Sequence, residues 1–138
     1  MVESELRKVM RDVFKNNPSM HPSWVEPADG STDGHVDLDV CIEGTVCQME
    51  LKVTKDKGAI VIRPSQYRWF RERSAAGGLP FILLYNNETS IEGNFYVIPA
   101  SAVPKLKNIR DLRGRTHAVC QTPAAAIRLI HTLTKGVL

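Results

Sequence analysis

Asp37, Glu50 and Lys52 are the residues of this chain whose types and spacing best suit chemistry. They lie in GHVDLDVCIEGTVCQMELK, residues 34–52, which reads as two strands meeting at Glu43-Gly44. A two-residue turn there, with glycine supplying a positive φ, sets the register. Ile42 then faces Thr45, Val40 faces Cys47, Leu38 faces Met49 and Val36 faces Leu51. That surface is apolar and belongs against a core. The other surface puts Cys41 against Val46, Asp39 against Gln48 and Asp37 against Glu50, with Lys52 one step further. Two carboxylates directly opposite on a sheet repel. A divalent cation between them removes the repulsion. Mg²⁺ or Mn²⁺ held by a few carboxylates can neutralise a phosphate, activate a water and stabilise a departing oxygen. Lys52 points to the same side as Glu50, where it can bind the reacting phosphate or orient the water. The backbone carbonyl of Leu51 is a further candidate ligand. Asp39 takes the place of Asp37 if the register slips by two. The same strands also fit an ordinary half-exposed hairpin with a wet face, so the hairpin alone leaves both readings open.

Two helices are needed to close over that wet face. Residues 2–15 have Leu6, Val9, Met10, Val13 and Phe14 at helical spacing on one side. Glu3 lies one turn before Leu6, near the centre-line of the apolar stripe. It is either a ligand reaching the site or a first-turn carboxylate complementing the helix dipole. Arg7, Lys8 and Arg11 take the outer face, solvated or against phosphate. Pro64 and Ser65 open a second helix, QYRWFRERSAA, which Gly77-Gly78 closes. Gln66 in its first turn is directed toward the sheet or simply exposed.

The remaining segments complete a single domain. Residues 16–33 are polar and broken by Pro18, Pro22, Pro27 and Gly30, with a short edge strand expected around Ser23 to Glu26. Ala59 to Ile62 is expected to extend a strand briefly. LPFILLY, residues 79–85, has the length and continuous apolarity of a buried strand. Another strand is expected over Asn94 to Ile98 and a short helix over Ala100 to Lys107. A basic loop follows, with Lys105, Lys107, Arg110, Arg113 and Arg115 as candidate DNA-backbone contacts. Thr122 as N-cap and Pro123 at the first helical position begin the final helix, which ends at Gly136.

The chain has 138 residues and a net charge of +3, with 43% hydrophobic and 24% charged residues. Those values suit one globular domain with a real core and exclude wholesale disorder. No apolar run can span a membrane, and the start does not resemble a signal peptide. Three scattered cysteines form neither a disulfide framework nor a zinc-ribbon spacing, so a cytoplasmic, reducing home is expected. The charge is compatible with nucleic acid without establishing it. His21, His35, His117 and His131 show no paired zinc spacing. Trp24, Tyr67 and Trp69 are candidates for base stacking, with Trp69 expected in the core. His35 falls across from Lys52, within reach of a phosphate.

In order, these motifs resemble the PD-(D/E)XK nuclease superfamily, and within it the VRR-NUC and Holliday junction resolvase-like group. VESELRKVM places Glu3 three residues before Leu6, GHVD supplies Gly34 and Asp37, and E-L-K is Glu50-Leu51-Lys52. IRPSQYRWFRERSAAGGLPFILLY supplies the basic, proline-containing approach to Gln66, then a helix, glycine and an apolar strand. The resemblance covers residues 2–85. Val36 stands where the group carries proline. The resemblance implies an α/β, restriction-endonuclease-like core of order αβββαβ; residues 86–138 lie outside it and read as a C-terminal strand and helix extension. It also implies Mg²⁺- or Mn²⁺-dependent cleavage of DNA, often branched DNA, by a homodimer. The catalytic set carried over is Asp37, Glu50, Lys52, Gln66 and Glu3, with Asp37, Glu50, Leu51 and Glu3 at the metal. Chains of this size in the group often come from phages, which would place the protein in a host cytoplasm. The departure at Val36 and the unassigned C-terminal segment motivate a contrary reading. In it the fold serves as a catalytically inactive DNA-binding or protein-interaction module, or as an adaptor for a host protein.

Overall fold

The structure, a computed structural model, describes residues 1–25, 35–88, 93–112 and 117–136. The order is α1 (Glu3–Lys15), β1 (Met20–Trp24), β2 (Leu38–Ile42), β3 (Thr45–Val53), α2 (Pro64–Ala75), β4 (Pro80–Tyr85), β5 (Phe95–Pro99), β6 (Ala118–Cys120) and α3 (Pro123–Thr134). Single 3₁₀ segments lie at Asp56–Gly58, Ala100–Lys105 and Ile109–Asp111. The described strands form one sheet in chain order, antiparallel throughout except where β3 runs parallel to β4. A parallel neighbour needs a crossover, and α2 supplies it. The first six elements are therefore the αβββαβ core of a mixed α/β fold, and residues 86–138 add β5, β6 and α3.

Apolar residues on the two faces of the sheet separate into two cores. On one face, Leu6, Met10 and Phe14 of α1 and Ala126, Ile127 and Ile130 of α3 pack on Leu38, Val40, Met49, Leu51 and Leu83. On the other, Phe70 of α2 packs with Ile82, Leu84, Ile98, Val103 and Leu106. The Tyr67 hydroxyl donates to the Leu106 carbonyl at 2.7 Å, tying α2 to the segment after β5. α3 thus shares one core with α1. Thr122 caps it by accepting from the Ala125 N–H at 3.1 Å, satisfying a first-turn donor.

The hairpin turn is where the sequence places it. Ile42 pairs with Thr45, and Glu43 and Gly44 have φ of 50° and 80°, as a type I′ turn requires. Leu38, Val40, Cys47 and Met49 share the core face. Val36 does not. The β2–β3 ladder stops at Leu38 with Met49, and Val36 is fully buried in the core on the α2 face. The expected Val36–Leu51 pair is therefore absent, because the chain bends at Asp37 and leaves the sheet.

Other expectations shift by a few residues. The edge strand is Met20–Trp24 rather than Ser23 to Glu26, and Glu26 lies outside the described residues. Residues 59–62 form no strand. Ala59 makes a single bridge to Asn108, while Ile60 and Ile62 bury their side chains. β6 carries only three residues and little apolar pattern, so nothing in the sequence announces it. Gly34, Arg113 and Arg115 lie outside the described residues. No helix among the described residues is long and apolar enough to cross a membrane.

Ile127 has no exposed surface, so truncating it removes buried atoms and leaves a cavity. Ile127→Ala should cost about 2–5 kcal/mol in urea unfolding. A loss below about 1 kcal/mol, the range of surface substitutions, would show that α3 is not integral to the core.

Candidate active site

The site begins where β3 outruns β2. Beyond the Leu38–Met49 pair, residues 50–53 of β3 have β4 on one side and, among the described residues, no ladder partner on the other. Asp37 fills the start of that gap. Its carbonyl accepts from the Val25 N–H at 2.9 Å, which anchors the bend to the end of β1. Its carboxylate Oδ2 accepts from the Leu51 N–H at 3.0 Å, in place of a strand carbonyl. Its own N–H donates to Glu50 Oε1 at 3.1 Å. Asp37 and Glu50 therefore meet, through backbone and carboxylate contacts rather than as cross-strand ladder partners.

Glu50 and Lys52 pair in register with Ile82 and Leu84, and so point to the α2 face. Both are buried, Glu50 at 4% and Lys52 at 7% exposure. Charged groups are buried at a cost unless partnered, and α2 brings the partner. Gln66, itself buried, donates from Nε2 to Glu50 Oε2 at 2.8 Å. Its Oε1 accepts from Lys52 Nζ at 3.1 Å. The same oxygen accepts from the Arg63 N–H at 3.0 Å, serving an open donor at the start of α2. One amide thus fixes the helix start, the carboxylate and the ammonium together. Lys52 Nζ lies 3.8 Å from Glu50 Oε2 and 4.0 Å from Glu3 Oε1. Glu3 is the loosest member, with its side chain 41% exposed. Its approach comes from α1, on the opposite face of the sheet, so the two helices close on the site from both sides.

Burial, and after it the nearby Asp37 charge, raise the Glu50 carboxyl to about 8, with Lys52 only partly offsetting the two.

Asp37, Glu50, Lys52, Gln66 and Glu3 come together in this corner. Leu51 contributes its N–H, while its side chain is in the core. Asp39 sits apart from these contacts, half-buried, with Oδ1 lacking a hydrogen-bond partner. His35 is not across from Lys52. Its ring lies 4.9 Å from Trp69, and its Nδ1 is 2.9 Å from the Val36 carbonyl. Trp69 is half-buried at the margin of its core, with the Arg73 guanidinium 4.8 Å from its ring centre. Lys105, Lys107 and Arg110 are exposed.

Arg7 is the site residue that sequence reasoning missed. Its Nη2 donates to Asp37 Oδ1 at 2.6 Å, a charge-assisted bond. The available signal was its position four residues after Glu3, which places both on one side of α1.

The raised Glu50 pKa has a consequence for stability. In the folded, metal-free chain the proton stays on to about pH 8, whereas the unfolded chain releases it near 4.5. Between those values the folded state binds the extra proton, so raising the pH destabilises it. Glu50→Gln removes that dependence. The melting temperature of wild type relative to Glu50→Gln should therefore fall as the pH rises from about 5 to about 8. An offset equal at both ends would exclude the protonated carboxyl.

No family model and no curated relative matches this sequence. Among solved structures, the chain is similar to Hjc, a Holliday junction resolvase from the archaeal hyperthermophile Archaeoglobus fulgidus. The TM-score is 0.52 at 10% identity, over 76% of this chain and 89% of that one. It also matches the bacterial homing endonuclease I-Ssp6803I at a TM-score of 0.49 and 16% identity, over 95% and 88% of the two chains. The second match adds nothing to the fold assignment. The first establishes the architecture: the chain has the restriction-endonuclease-like α/β fold.

Proposed function

We propose that this protein is a divalent-metal-dependent DNA endonuclease that hydrolyses phosphodiester bonds, with branched DNA as its preferred substrate. One observation carries the reading. Asp37, Glu50, Lys52 and Gln66 are joined by hydrogen bonds and close ionic contacts at the open edge of β3, with Glu3 beside them. The ordered motifs that resemble resolvase-like nucleases fall on these same residues, and Hjc shares the fold.

The donor set fits a hard cation. Two carboxylates share a corner in which burial first, and the Asp37 charge second, keep Glu50 uncharged at neutral pH. Among the described residues, no group of three or more His, Cys, Asp or Glu side chains could hold a metal ion alone. Mg²⁺ does not require one, since it typically takes one or two carboxylates and completes its shell with water and substrate phosphate. Asp37 and Glu50 would hold the ion, with Glu3, whose Oε1 lies 4.0 Å from Lys52 Nζ, approaching from α1. The N–H and C=O of one strand residue point to the same side, so the Leu51 carbonyl faces the gap that its N–H already serves. When bound, Mg²⁺ or Mn²⁺ would supply charge for the phosphate and acidity for the attacking water.

The chain's own groups do the rest. Lys52 is held by the Gln66 amide and aimed into the corner, so its ammonium meets the reacting phosphate without first being reorganised. Gln66 fixes Glu50 Oε2 and Lys52 Nζ relative to one another. Among the described residues the β2–β3 ladder ends at Met49, and a backbone phosphate would approach the β3 edge beyond it.

Purified protein with Mg²⁺ or Mn²⁺ should cleave a four-way junction in preference to the linear duplexes that compose it. Lys52→Ala should lower the single-turnover rate by about 100-fold or more, the scale of removing one preorganised charged donor. No cleavage by wild type, or undiminished cleavage by Lys52→Ala, would defeat the catalytic reading.

A further inference from the structure

We infer that Arg7 is a built-in stand-in for the metal: it holds Asp37 in the metal-free chain, yields that carboxylate to an incoming divalent cation, and then contacts the DNA backbone. The inference rests on the nuclease reading and deepens it by coupling metal binding to substrate binding.

The two oxygens of Asp37 are not equivalent. Oδ2 is committed to the Leu51 N–H, a backbone donor that cannot leave without disturbing β3. Oδ1 has the Arg7 guanidinium at 2.6 Å, a side-chain partner that can swing away. A cation that draws on Asp37 and Glu50 together must take up the negative charge that Arg7 now balances. A guanidinium left beside a divalent ion would face strong like-charge repulsion at that distance.

Arg7 also has an exit. Its side chain is 30% exposed, against 16% for Asp37, so its route leads outward along α1 rather than through the core. The indole of Trp24 lies on that route. The Arg7 guanidinium carbon is 5.9 Å from the Trp24 ring centre, and that of Arg11 is 4.7 Å from it. The aromatic face of Trp24 makes a resting place for a released guanidinium. Together the two arginines would form a cationic pair on the α1 surface beside the open β3 edge. Arginine suits the task because its planar fork matches carboxylate and phosphate equally well. A purely structural arginine would be expected to hold Asp37 in place for the metal. The two roles predict opposite effects of removing it.

The test is Mn²⁺ binding to the metal-free full chain, followed by calorimetry and by the electron paramagnetic resonance signal of free Mn²⁺. Arg7→Gln should bind Mn²⁺ about fivefold more tightly than wild type, the scale of a partly exposed ion pair. Arg11→Gln, which removes a charge from the same helix without touching Asp37, should leave Mn²⁺ affinity unchanged. Arg7→Lys keeps the charge without the fork and should fall between the two, which guards against an Arg7→Gln chain that fails to fold. Binding of a junction in non-cleaving Ca²⁺ should become less salt-sensitive in Arg7→Gln, its slope shrinking by about 0.9, the value of one phosphate contact. Without divalent metal the slopes of wild type and Arg7→Gln should agree, because Arg7 is then occupied by Asp37. Equal or weaker Mn²⁺ binding by Arg7→Gln would overturn the stand-in role and leave the nuclease reading intact. No Mn²⁺ binding by any of these chains would overturn both.

Discussion

The structure turns on one desolvated carboxylate. Glu50 sits in the middle of the sheet beside Asp37 and is buried to 4% exposure. Such a group is costly to place unless its hydrogen-bonding capacity is met. Meeting it recruits the Asp37 backbone from the end of the hairpin and the Gln66 amide from the first turn of α2. Each of these is then constrained in turn. Asp37 must leave the ladder, Gln66 must sit near the start of its helix, and Lys52 must share the amide oxygen. Four residues from the hairpin, β3 and α2 are held to a common geometry by one unfavourable burial.

The same geometry explains the layering. α2 must lie on the face to which Glu50 and Lys52 point, and the parallel β3–β4 pair places it there as the crossover. α1 must pack on the opposite face, because its apolar stripe matches Leu38, Met49 and Leu51. The two helices can meet only at the end of the sheet where β2 stops short. There Arg7 from α1 reaches Asp37, and Gln66 from α2 reaches Glu50. β5, β6 and α3 complete the sheet and close the core under α1, so the site is set into a finished two-faced sheet rather than at a loose margin.

Much of this was legible beforehand for physical reasons that act over short range. The Glu43-Gly44 turn is selected by backbone sterics, and the alternation of Leu38, Val40 and Ile42 by the period of a strand. Pro64, Thr122 and Pro123 mark helix starts because a helix end has open backbone donors. The short helix expected over Ala100 to Lys107 is the 3₁₀ segment Ala100–Lys105, whereas Asp56–Gly58, Ile109–Asp111 and β6 are not legible, since three-residue elements carry too little pattern. Val36 was assigned to the wrong face because alternation was extended one residue past the point where the strand bends. Asp37 was nevertheless placed beside Glu50, as the bend carries its carboxylate to the same corner by another route.

By itself, then, the sequence determined the αβββαβ order, the hairpin register as far as Leu38, and the identity of the acidic, basic and amide groups that meet in one corner. Turn sterics, strand period and helix capping are local, and local pattern suffices for them. Only the tertiary structure decided how those groups are joined. That Gln66 is buried rather than surface, that Asp37 caps Leu51 instead of pairing across the strands, and that Arg7 crosses from α1 to hold it all depend on which helix covers which face. Those contacts join residues 13 to 30 apart in the chain. Their partners are chosen by packing and by the cost of an unmet buried polar group, and neither is written in any short stretch of residues.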